Sequence, residues 1–424
     1  LHVGHSYTGT MALENGAAVT VQSFALHHTE TITDVGEAWS RVTLDQEGPG
    51  ANPSSLTVLD SAVIGWRNIG QLGILNGASA NVGDDLFLSG VGGFGEIYLH
   101  DASSLLVNGD LITAWEGNSA AKLAATSDSQ VQILGNLEAS SGAGSSLFYV
   151  TEPGTRLEVD GICYLGAGEL STVQMRIAAG GVFDCGQATY VGYQNQAYTA
   201  WVTVGAGNGG PGRLQGMRLW VGQDTLGGAP ADLLIGAVGL EGGEIEMAVS
   251  VYVDAHGAIT GTGTIAPGFG IVVANGGYLA PGLDPDQPPA RLARQTAAEG
   301  APGTLTIAGA LTLSDTARLA LDLFGPTAAE QDRLVVSDTA VFNGILALNF
   351  TNGYAPRQGD VLTFVTVSGA ASGSFADVTI SGLEPGFAFD VDVSGGAVTL
   401  TALNDGVPTT GGQYRLYLPL ARQP

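Results

Sequence analysis

A short block of residues recurs along this chain, and it narrows the choice of fold more than any other feature. From Leu1 to Val21 the block runs as an apolar residue before glycine, a Gly-Thr turn, a short alternating strand, an Asn-Gly pair and a second strand. The same order returns from Ile64-Gly65 through Asn76-Gly77, and again in degraded form from Leu86 to Asn108-Gly109. Later copies open on Tyr164-Leu-Gly166, Tyr190-Val-Gly192 and Trp220-Val-Gly222, so their glycines stand 26 and then 30 residues apart. Self-similarity at that spacing marks a solenoid or an array of small units.

Within each block the pattern is strand-like. Apolar and β-branched residues alternate with polar ones, and Asn-Gly, Gly-Gly and Gly-Thr pairs mark places where the backbone must turn. Only Asp110 to Leu123 carries a trace of helical periodicity. A unit this short cannot bury its apolar face alone, whereas stacked copies give every strand a neighbour above and below. The 65 glycines fit this arrangement, since tight corners need positive φ or close backbone approach. Short strands also suit an antiparallel sandwich or barrel. The recurrence favours an all-β fold, a right-handed parallel β-helix, over residues 1 to 282.

Composition limits the partners. With 45% hydrophobic and 13% charged residues, the chain can bury a large core. It carries 40 acidic residues against 14 basic ones, for a net charge of −26, and Lys122 is its single lysine. Nucleic acid needs a basic footprint that is missing here, and an anionic membrane surface is disfavoured for the same reason. No apolar run is long enough for a transmembrane helix, so no membrane insertion is expected. The start at Leu1, inside a repeat, fits a processed N-terminus on an exported protein.

The order of these blocks resembles the repeats of bacterial autotransporter passenger domains and related secreted β-helix proteins. The likeness continues through Ile259-Thr-Gly-Thr-Gly-Thr-Ile265, Gly277-Tyr-Leu-Ala-Pro-Gly282, Gly303 to Leu313, Phe342-Asn-Gly-Ile345 and Gly353 to Asp360. It implies an extracellular or cell-surface bacterial protein. It does not extend to the membrane barrel of that family, whose many alternating segments of about ten residues do not follow residue 404.

Residues 283–302 are rich in proline and read as a linker or loop, and 303–404, with longer alternating strands, as a C-terminal β module, either a β-sandwich cap or further solenoid. A cap has a physical motive, because an open solenoid end exposes unpaired edges. Residues 405–424 read as a flexible spacer and a terminal apolar strand. In that strand Tyr414, Leu416, Tyr417, Leu418 and Leu420 are candidates to add to a sheet edge of the next subunit. Folding back on its own module and service as a sorting tail are the alternatives.

Little in the chain points to chemistry. His2, His5, His27, His28, His100 and His256 lack the spacing of a zinc site. Acidic pairs stand at Asp84-Asp85 and at Asp284-Pro-Asp286, and the latter two aspartates are the candidate calcium ligands, without the run of oxygens that calcium loops use. No cofactor is expected. Arg213 and Arg218 lie close in sequence, but basic residues are too sparse for a lyase acting on acidic sugar, and no nucleophile or phosphate-loop motif stands in its required context. Trp66, Trp115, Trp201 and Trp220 with Tyr190, Tyr193 and Tyr198 are candidates for a carbohydrate-stacking face, and equally for cross-strand packing. Asn349-Phe-Thr351 matches a glycosylation sequon but falls in an expected strand. Cys163 and Cys185 fit one disulfide if adjacent turns stack about 4.8 Å apart, although the repeat alignment sets Cys185 over Val159 instead. These readings make the chain a non-enzymatic structural subunit that binds copies of itself in a filament, sheath or layer. A monomeric adhesin for carbohydrate or protein is the alternative, and a polysaccharide-active enzyme is third.

Overall fold

The computed structural model describes residues 1–3, 9–26, 39–45, 52–168, 171–193, 200–223, 235–282 and 301–409. Among them there is no α-helix, and most of the strands form a parallel β solenoid in which, through the first coils, each strand pairs with the third one after it. The result is a stack of three-sided coils.

On the first face, Ile69–Leu75 pairs with Phe94–His100, which pairs with Ala120–Ala125, then Ser145–Thr151, Thr172–Ala178 and Ala200–Gly207. The second face stacks Ser55–Val58, Ser79–Val82, Ser104–Val107, Gln130–Ile133 and Arg156–Val159. The third stacks Phe24–Leu26, Ala62–Ile64, Leu86–Leu88, Leu111–Thr113, Leu137–Ala139 and Ile162–Leu165. Alternation of apolar and polar residues in the sequence becomes alternation of buried and half-buried positions, as in Phe94–His100 and Ser104–Val107. The inward residues merge into one hydrophobic cluster that runs from Val3 to Leu400.

The landmark glycines of the repeat have a defined place. Gly65 and Gly166 follow the last residue of a third-face strand, Gly192 and Gly222 stand one residue before the end of Val182–Tyr193 and Arg213–Gln223, and all four have φ between 74° and 81°. At this corner the chain leaves the third face in the left-handed region, which glycine enters without steric penalty. Intervening coils put Ser89, Ala114 and Ser140 at the same corner, with φ of 68°, 47° and 54°. The sequence period therefore looks irregular where the backbone is regular. Buried hydroxyls serve the corners as well. Ser103 and Ser129 donate to the carbonyls of His100 and Thr126 at 2.6 Å, and Thr113, Ser140 and Ser146 bond to one another inside the stack.

From residue 182 the strands lengthen. Val182–Tyr193 and Arg213–Gln223 pass from the second face to the third, with register shifts near Cys185 and Gly216, and Gly236–Val253 crosses all three faces. Beyond the proline-rich segment the parallel rows run on. Thr304–Ile307 pairs with Gly257–Pro267, Leu311–Leu313 with Gly270–Val273, and Arg318–Leu323 with Tyr278–Pro281. Parallel pairing continues to Asp377–Ser381. After it, Phe389–Ser394 and Ala397–Ala402 form an antiparallel hairpin whose second strand lies antiparallel to Val361–Val367.

Candidate functional site

Several sequence candidates lie outside the described residues: His5, His27, His28, Tyr198, Asp284 and Asp286, and the assembly residues Tyr414, Leu416, Tyr417, Leu418 and Leu420. Among the described residues no group of three or more His, Cys, Asp or Glu side chains is placed to hold a metal ion. His100 Nδ1 meets Asp101 Oδ2 at 2.7 Å on the surface.

The Asp84-Asp85 pair has backbone work to do. Asp85 accepts the Asp110 N–H at 2.8 Å, Asp110 accepts the Asn136 N–H at 2.6 Å, and Asn136 accepts the Ile162 N–H at 2.9 Å. These side chains form a ladder that ties each second-to-third corner to the next coil. Asp84 accepts the Ser61 hydroxyl at 3.3 Å. Glu138, on the neighbouring outer row, has its carboxyl pushed above the usual range by burial and then by Asp110 and Asp85. Arg213 pairs with Glu244 at 3.0 Å, and Arg218 belongs to a different row, beside Ala188. Asn349 of the sequon donates to Asp322 at 2.9 Å from within the strand Ile345–Phe350.

Cys163 and Cys185 are joined in a disulfide with their Cα atoms 6.3 Å apart. Cys185 also stacks on Val159, while Cys163 stacks between Leu137 and Thr189. The bond therefore crosses the interior from the third face of one coil to the second face of the next. Both side chains are fully buried.

The aromatic candidates separate into groups. Each third-face strand presents one outer residue, and in register these read Val63, Phe87, Ile112, Glu138, Tyr164, Tyr190, Trp220, Tyr252 and Val272, all half-buried. Four of the rings stack along the axis. Centroids are 5.4 Å apart for Tyr164 and Tyr190, 6.4 Å for Tyr190 and Trp220, and 4.1 Å for Trp220 and Tyr252, with interplanar angles of 9°, 15° and 12°. Tyr193 leans on the first two at 5.2 and 5.1 Å. Rings stacked on one another have their facing sides occupied, so between Tyr164 and Tyr252 the ladder leaves no gap for a sugar to enter. Trp66, Phe87 and Trp115 make a second cluster beside the row, with centroids 5.4 and 5.7 Å apart. Trp115 is 42% exposed.

Trp201 stands elsewhere, on the first face. It borders an open groove with Tyr149, Gln174, Arg176 and Thr203, and the buried Phe148 and Met175 lie beneath. Arg176 pairs with Glu241 at 3.0 Å. Further along the stack, Asp322 and Asp332 are buried side by side. Asp332 accepts the N–H groups of Gly303 and Asp322, both at 2.9 Å, and burial pushes its carboxyl up to about 8, with the Asp322 charge adding to the rise. Burial also raises Asp322. Sequence reading missed this pair, since nothing in the alternation of Arg318–Leu323 flags a carboxylate beside a core position.

The chain matches no protein-family model, and a search of curated proteins returns no significant relative.

Proposed function

We propose that this chain is a structural component of a bacterial extracellular surface assembly, in which solenoids associate side by side along the third face. The outer row of that face carries the reading. It is apolar or aromatic from Val63 to Val272 with one interruption at Glu138, on a chain whose net charge is −26. Elsewhere the acidic surface holds copies apart, whereas a continuous apolar strip is where water is most favourably displaced. Stacked rings make the strip flat and stiff, which suits a repeating lateral contact. The buried disulfide supports export, because such bonds persist in oxidising compartments. The resemblance to autotransporter passenger repeats points the same way.

Two finer features of the fold belong to this reading. The solenoid winds to the right, the hand taken by nearly all crossovers between parallel strands of one sheet. The antiparallel hairpin of 389–402 caps the stack by ending parallel growth on that side.

Light scattering and negative-stain microscopy test the proposal on the exported chain. The chain is expected to form laterally associated particles, and Ile112→Glu, an outward substitution, is expected to leave monomers with an unchanged β signal in circular dichroism. Deleting residues 413–424 distinguishes end-to-end strand donation, which that deletion abolishes, from lateral packing, which survives it. A monomer at high concentration, or assembly indifferent to Ile112→Glu, overturns the lateral reading.

A further inference from the structure

We infer that the groove on the first face between Tyr149 and Trp201 binds a neutral glycan. This inference is independent of assembly through the third face. Outward residues of three consecutive first-face strands form two short rows, Leu147, Gln174, Trp201 and Tyr149, Arg176, Thr203. Tyr149 and Trp201 occupy opposite corners of the patch. Two coil steps and two residues separate them, so their Cα atoms are roughly 12 Å apart. The Gln174 amide and the Arg176 guanidinium lie between the rings, and the Thr203 hydroxyl lies beside Trp201.

What distinguishes this patch from the third-face ladder is the state of its rings. Among the described residues no aromatic ring stacks on Tyr149 or Trp201; in register Tyr149 lies between Ala124 and Arg176 and Trp201 between Gln174 and Ala237, so each ring has only a small alanine against one side. A pyranose has flat C–H faces that pack on an aromatic ring and a rim of hydroxyls that need donors and acceptors. The patch supplies both, with planar polar groups set between two rings. Charge decides the class of sugar. Arg176 pairs with Glu241 at 3.0 Å, and the chain as a whole carries a net charge of −26, so a uronic or sulfated glycan meets net repulsion. A neutral chain meets none. The groove is partly open, which admits the side of a polysaccharide.

Isothermal titration calorimetry with cellohexaose, chitohexaose, maltohexaose and oligogalacturonate tests this on the intact chain. At least one neutral oligosaccharide is expected to bind. Trp201→Ala and Tyr149→Ala are each expected to weaken it about tenfold or more, the usual size of a central aromatic contact. Tyr149→Phe keeps the ring and most of the affinity. Trp220→Ala, which disturbs the third-face ladder, leaves binding unchanged and serves as the control. Thermal melts exclude misfolding as the cause of any loss. The inference is overturned if no neutral oligosaccharide binds at millimolar concentration, if oligogalacturonate binds best, or if Trp220→Ala abolishes binding while Trp201→Ala preserves it. Assembly indifferent to Ile112→Glu, with glycan binding intact, would fault the lateral proposal alone.

Discussion

Asp332 offers a test in which the sign of the effect is as informative as its size. Its side chain is 2% exposed, and Gly282, where the chain leaves for the proline-rich segment, packs directly against the carboxylate. The carboxyl is raised from 3.8 to about 8, chiefly by burial. Between these values the folded chain holds a proton that the unfolded chain has released. Stability then falls as pH rises, by about 1.4 kcal/mol per unit, until pH passes the folded value. The stabilisation is complete below pH 4 and gone above pH 8, opposite to a salt-bridged carboxylate. Asp332→Asn removes the titration while keeping the shape. The opening free energies of the Gly303 and Asp322 amides, measured by native-state hydrogen exchange at pH 5, 6 and 7 with correction for intrinsic rates, report the site itself. Relative to the variant, the wild type is expected to lose about 1.4 kcal/mol per pH unit. A constant difference would refute the reasoning. It would mean that the two N–H donors hold the carboxylate ionised in spite of burial.

Other consequences concern the stack. Replacing Cys163 and Cys185 by alanine is expected to lower stability by about 3 kcal/mol, from the chain entropy of the 22-residue separation the bond closes, as read by guanidinium denaturation. At the third-face corner, Gly192→Ala places a Cβ 2.2 Å from the Ile235 carbonyl at φ +74° and is expected to cost more than about 2 kcal/mol, whereas Ala114→Gly at the equivalent corner changes stability by about 1 kcal/mol or less. A small cost at Gly192 would show that this corner admits a Cβ as the Ala114 corner does. Tyr190→Ala removes the centre of the aromatic ladder and is expected to cost about 2–3 kcal/mol, while Tyr190→Phe retains most of that; a thermal melt separates the two.

The parallel stack was legible because the residues before Gly166, Gly192 and Gly222 recur with their glycines, and Tyr164, Tyr190 and Trp220 indeed lie in one row. Coils that place Ser89, Ala114 and Ser140 at the corner were blurred, since the backbone conformation repeats there while the residue type does not. The cysteines show the limit of stacking arguments. Aligning repeats identifies the neighbour above, and Cys185 does stack on Val159. It says nothing about a contact across the interior, where two inward side chains on different faces meet. The proline-rich segment breaks the repeat in sequence, yet the strands on either side share the same rows. The groove and the Asp322–Asp332 pair depend on which residues become neighbours after winding, and no local pattern encodes that.

Hydrogen bonds between coils point along the stacking direction, and this has a mechanical meaning. Tension applied end to end loads the bonds of one coil in turn, so the stack is expected to peel stepwise rather than yield as a block. The disulfide interrupts that sequence. It binds the coil holding Cys163 to the one holding Cys185, so peeling from either end halts there, and the aromatic ladder begins at the same level with Tyr164. The coils joined by the disulfide are thus its clamp, and coils away from it give way first.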